Sequence, residues 1–176
     1  MSITHPEMVK TLAKTGEDIL AKMTPMGAHL LHMAVGVSGE VGELLGAIEA
    51  DDRDNALEEL GDIEFYFEGL CQGVDMVLVH SVIDLNTLED DPFVPVLTQA
   101  AEMLDVVKKL VVYNDEKKLP QLRIEMQRFR TYLDGFYALA ELTREQALEH
   151  NINKLGKRYE GFNYSDDAAK ARADKV

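Results

Sequence analysis

The chain of 176 residues contains one cysteine, Cys71, and no tryptophan. A lone cysteine excludes an internal disulfide framework and a cysteine zinc site, and fits a reducing cytosol. No apolar run approaches the roughly 18 residues of a membrane span, and the opening MSITHPEMVK lacks the apolar segment of a signal peptide. A soluble, cytoplasmic protein is expected. Basic residues are scarce where acids are dense: residues 1–100 carry 4 basic and 19 acidic side chains, and residues 101–176 carry 14 and 13. The net charge of −14 therefore resides in the first part. Such a field repels nucleic acid and anionic membranes, so neither is expected as a partner.

What the sequence does have is apolar residues at helical spacing almost throughout, which predicts an all-α fold in one domain over residues 1–176. Helices are expected over residues 6–22, with Pro6 early and Val9, Leu12, Ile19 and Leu20 as contacts, and over residues 28–50. A third begins with Asp54 or Asn55 as N-cap, carries the stripe Leu60, Ile63, Phe67 and Leu70, and ends near Gly73. Further helices are expected at 75–85, 96–113, 119–141 and 144–158, with a proline-containing acidic linker at 86–96. The valines of 77–82 and 106–112 leave some strand character in those stretches. An order of long helix, polar turn and helix pair over residues 28–88 is echoed over 93–155. That echo lays Glu102 and Asp105 over Glu40 and Glu43, and Glu125 and Arg128 over Glu59 and Asp62. The second copy lacks the full acidic set.

Four acids stand out in GEVGELLGAIEADDRDNALEELGDIEFY, residues 39–66. Glu40 and Glu43 share one side of a helix, as do Glu59 and Asp62, and an antiparallel hairpin would bring both pairs into one volume. Two such charges about 4 Å apart repel by roughly 4 kcal/mol at an effective dielectric near 20. Either a proton or a cation must relieve them, and oxygen donors without cysteine favour Mg²⁺, with Mn²⁺ able to substitute. Gly36, Gly39, Gly42 and Gly46 are each costly in a helix interior, which points to close approach of another helix along that strip. His32 lies on the side of Glu40 and is either a buried structural histidine or a substrate contact.

Lys154 and Arg158 recur one turn apart in 144–158, beside Asn151 and Tyr159. Their chemistry suits the oxygens of a phosphate chain, with Asn151 as a hydrogen-bonding group and Tyr159 as a stacking or packing one. Lys157 suits the negative end of its own helix dipole. Cys71 has no partner that would make it a nucleophile.

The glutamate pair at 40–43 and the Glu59–Asp62 pair, set in HMAVGVSGEVGELLGAI and ALEELGDIEFYF, resemble the MazG-like all-α nucleoside triphosphate pyrophosphohydrolases, a superfamily that includes the dimeric dUTPases. The segment HNINKLGKRYEGF at 150–162, followed by AAKARADK, is similar to the C-terminal signature of many such proteins. The resemblance spans about 28–70 and 150–175. It implies a helical bundle, hydrolysis of a nucleoside or deoxynucleoside triphosphate to monophosphate and pyrophosphate, and Mg²⁺ held by Glu40, Glu43, Glu59 and Asp62. Glu40 or Glu43 is the expected general base. The resemblance also implies substrate contacts from Asn151, Lys154, Arg158 and Tyr159, with Arg172 a further candidate and Asp174 beside it, and a homo-oligomer, most simply a dimer. Phe65, Tyr66, Phe67 and Tyr159 are the candidate partners for a base. The competing reading is a non-catalytic acidic helical adaptor for a basic protein. A di-iron protein would want histidine three residues after glutamate, a spacing none of the five histidines has.

Overall fold

In the computed structural model, which describes residues 3–79 and 92–175, every regular element among the described residues is helical. Two short helices, α1 (His5–Leu12) and α2 (Gly16–Leu20), precede a long hairpin of α3 (Pro25–Glu49) and α4 (Arg53–Gly73). A second hairpin follows from α5 (Phe93–Val112) and α6 (Leu119–Leu139), then α7 (Arg144–Arg158) and α8 (Asp166–Ala171). α3 packs on both α4 and α5, α5 on α6, and α7 on α4. One hydrophobic cluster runs through the four long helices. Leu60, Ile63, Phe67 and Leu70 all face it, and Phe67 meets the Phe129 ring at 4.9 Å. This removes Phe67 from the candidates for a base.

The first hairpin turns tightly because α3 ends in a Schellman motif. Asp51 is left-handed (φ 52), its N–H donates to Ile48 O at 3.1 Å, and the Asp52 N–H reaches Ala47 O at 2.9 Å. Asp52 is then the first extended residue, so its carboxylate, rather than Asp54 or Asn55, caps α4 by accepting from the Asn55 N–H at 3.0 Å. The same closure recurs at Asp75 (φ 50) after α4, and after α6 a left-handed Glu141 (φ 53) lets the Leu142 N–H reach Tyr137 O at 3.1 Å. Arg53 ties the two hairpins together by donating to Ala140 O and Glu141 O at 3.1 and 2.6 Å.

Three expectations change. The helix of 6–22 is two helices, because Ala13 goes extended and Thr15 starts α2 by accepting from the Asp18 N–H; neither short helix buries a residue, and Val9, Leu12 and Leu20 are exposed. The helix expected at 75–85 does not form over its described part: Asp75 turns the chain, and the Val79 N–H and C=O both bond the side-chain amide of Gln127, at 3.0 and 2.6 Å. Residues 80–85 of that expected helix, and 86–91 of the linker, lie outside the described residues. α5 begins at Phe93 rather than 96, since Pro95 falls in the first turn, where its missing N–H has no helical partner to lose.

Candidate functional site

The hairpin places Glu40 and Glu43, one turn apart on α3, beside Glu59 of α4. One carboxylate oxygen from each of the three lies within 4.8 Å of the others. Glu59 is buried, Glu40 half-buried and Glu43 exposed. Burial first, then repulsion from Asp62 and Glu43, pushes Glu40 up to about 8, and burial followed by the Glu43 charge also raises Glu59. The approach of the two carboxyls adds to the rise at Glu40 and offsets part of it at Glu59. A trio of hard oxygens that must hold a proton to coexist fits a divalent Mg²⁺-type ion, which would replace that proton.

Asp62, expected as a fourth ligand, falls outside that 4.8 Å group, though its charge still reaches Glu40. Its two oxygens are taken by α7: Oδ1 accepts from Asn151 Nδ2 at 2.7 Å, and Oδ2 pairs with Lys154 Nζ. Lys154 also reaches Glu58 Oε1 at 3.2 Å. Asn151 and Lys154, expected to contact substrate, are thus buried and engaged with α4 acids. Gly61 is what allows this, because a Cβ there would sit 2.8 Å from Ala147 O and 2.9 Å from Asn151 Cβ. Arg158 is likewise engaged, its Nε and Nη2 on the two oxygens of Asp174 at 2.5 and 2.6 Å.

The trio and Asp62 line a cavity of about 1000 Å³ together with His32, Tyr66, Tyr159 and Arg172. His32 meets the Tyr66 ring edge-on at 5.8 Å. Tyr66 lies flat against α3 at Gly36, where a Cβ would come within 2.6 Å of its Cε1. Gly36 therefore answers to a close approach, but Gly39, Gly42 and Gly46 do not: nothing lies within 4 Å of a Cβ at any of them, and they are exposed. The expected strip for a neighbouring helix shortens to one position. Cys71 is buried and its thiol is pushed up to about 12, so it offers no thiolate.

The second hairpin offers a contrast. Glu102, Asp105, Glu125 and Arg128 also line one pocket, of about 730 Å³. There two of the three acids are engaged from within: Lys108 and Lys109 bracket Asp105 at 2.7 and 2.5 Å and hold it down at about 2, while Arg128 and Gln99 donate to Glu125 at 3.1 and 2.9 Å.

Sequence reasoning missed a buried network and a wall. Glu64 accepts from Arg130 at 2.7 Å, Arg144 at 2.9 Å and Tyr137 at 3.2 Å, and Arg130 also pairs with Asp134 at 2.7 Å. The signal was present, since Glu64 shares the apolar phase of Leu60, Ile63 and Phe67, and Arg130 that of Met126, Phe129 and Leu133. The wall is Phe162 and Tyr164, from the tail after α7. None of the helices in the described residues is long and apolar enough to cross a membrane. No protein-family model, curated protein or solved structure matches the chain.

Proposed function

We propose that the protein is a Mg²⁺-dependent pyrophosphohydrolase that cleaves a nucleoside or deoxynucleoside triphosphate to the monophosphate and pyrophosphate, as its resemblance to the MazG-like enzymes implies. The observation that carries this reading is the convergence of Glu40, Glu43 and Glu59 in a cavity that aromatic rings, Asp62, Arg158 and Arg172 also line. A triphosphate is polyanionic, so it can enter an acidic cavity only where cations intervene. A divalent ion in this donor set supplies charge neutralisation for the polyphosphate and makes water more acidic.

The chain's own residues divide the remaining work. Glu59 and Glu40 would hold the ion, and Glu40, which burial and its acidic neighbours keep protonated, would give up its proton to do so. Glu43 is the exposed member, so its carboxylate can reach a water at the cavity wall and accept its proton. Asp62, paired with Lys154, steadies α7 against α4 at the edge of the same cavity. Each copy of the chain carries its own trio.

The test is turnover of a panel of ribo- and deoxyribonucleoside triphosphates with Mg²⁺, reading monophosphate and pyrophosphate, for wild type beside Glu43→Gln. Activity that needs the metal and falls by about 10²-fold or more in the variant is expected. Equal turnover by both proteins would remove the site from consideration.

A further inference from the structure

Residues 159–174 leave α7, turn and return to it. Gly161 (φ 64) and Phe162 (φ 56) are consecutive left-handed residues that make the turn, and α8 then brings the chain back until Asp174 meets Arg158. The clasp is well protected: the Asp174 side chain is 1% exposed and the Arg158 side chain 15%. What the returning segment carries is unusual for a surface tail. Phe162 and Tyr164 are 66% and 72% exposed, yet both face the cavity of the acidic trio, with Tyr159 tilted against Tyr164 at a centroid distance of 5.7 Å. Across the cavity stand Tyr66 and the half-exposed Phe65. Large rings left open to water around an otherwise acidic cleft are poorly used by folding alone, and they match a planar aromatic ligand.

We infer that residues 159–174 form a strap supplying the wall that stacks on the nucleobase, with Arg158 its positioning residue through Asp174 rather than a phosphate ligand. This rests on the pyrophosphohydrolase reading. Phosphates are repelled by the carboxylate side unless cations are present, whereas the rings offer every base a π-face, so the two sides of the cavity sort the two ends of a nucleotide.

The test compares full-length wild type with Arg158→Glu, Asp174→Arg, the Arg158→Glu/Asp174→Arg charge swap and Tyr164→Ala. Substrates are dATP, dCTP, dGTP and dTTP against inorganic tripolyphosphate, which has no base, all with Mg²⁺. Each single variant is expected to raise KM for the best nucleotide about tenfold with kcat within about twofold, and to lower the preference for nucleotide over tripolyphosphate about tenfold. The swap should restore most of that preference. Equal losses on nucleotide and tripolyphosphate, or no recovery in the swap, would overturn the strap and return Arg158 to the phosphates. Calorimetric binding of the α,β-imido analogues of the same nucleotides separates the two readings. Binding that weakens in the single variants and recovers in the swap, without turnover by the wild type, would sink the hydrolase and keep the strap; binding that is absent, or equal in all the proteins, would sink the strap.

Discussion

Glu40 couples the site to pH. Its carboxyl binds a proton in the folded chain up to about pH 8, whereas in the unfolded chain it releases that proton near its ordinary value of 4.5. Between these values the native state holds more protons than the unfolded one, so stability falls as pH rises from about 4.5 through about 8. Thermal melts from pH 5.5 to 8.5 should show this decline in metal-free protein. Saturating Mn²⁺ should flatten it, because a bound cation takes over from the proton, and Glu40→Gln should flatten it without metal. Parallel curves for all three would mean the trio does not carry the charge problem its geometry indicates. The glycines of α3 give a second contrast at this scale. Gly36→Ala forces the Tyr66 ring to move and should cost about 1–3 kcal/mol. Gly39→Ala and Gly46→Ala place a methyl in open space and should each stabilise by about 1 kcal/mol. Urea unfolding separates the two outcomes, which have opposite signs.

At the scale of elements, helix ends decide more than helix middles. Three helices close through a left-handed acidic residue, Asp51, Asp75 or Glu141, where glycine is the usual occupant. Glu141 is exposed and lends only its backbone to Arg53, so Glu141→Gly should stabilise the protein by about 0.5–1 kcal/mol, read as a raised urea midpoint with an unchanged slope. Such closures also explain what could and could not be read in advance. The bounds of α7 were legible because Thr143 and Gln146 form a capping box that the sequence spells out. The turn at Asp75 was not, because an aspartate in a left-handed conformation looks like any other polar residue until the helix behind it is in place. The break before Gly16 was legible in the Thr15-x-x-Asp18 spacing but was outweighed by an apolar pattern running across it. Within the site, the one-turn pairing of Glu40 with Glu43 and their approach to Glu59 followed from spacing alone. The removal of Asp62 from the trio did not, since it depends on Gly61 admitting α7, a contact between segments far apart in the chain.

Across the whole molecule, α4, α6 and α7 meet at the Glu64–Arg130 pair, where both side chains are almost fully buried. A buried pair adds little net stability, but removing Arg130 leaves the buried Glu64 charge less compensated, by Arg144 and Tyr137. Arg130→Met should therefore destabilise by about 3–5 kcal/mol, and Glu64→Met combined with Arg130→Met should recover a large part of that loss. Chemical denaturation of the single and double variants measures the difference. Full additivity would show that the network is not coupled.

The tight closure of the first hairpin has a kinetic corollary. Glu40, Glu43 and Glu59 lie close in the chain and are joined through the three-residue bend Ala50–Asp52, so they should meet when α3 and α4 zip together, ahead of the longer-range contacts of α7. Their mutual repulsion is then felt on the way uphill to the folding barrier rather than after it. Acidity and divalent ions should accordingly govern how fast the chain folds more than how fast it comes apart.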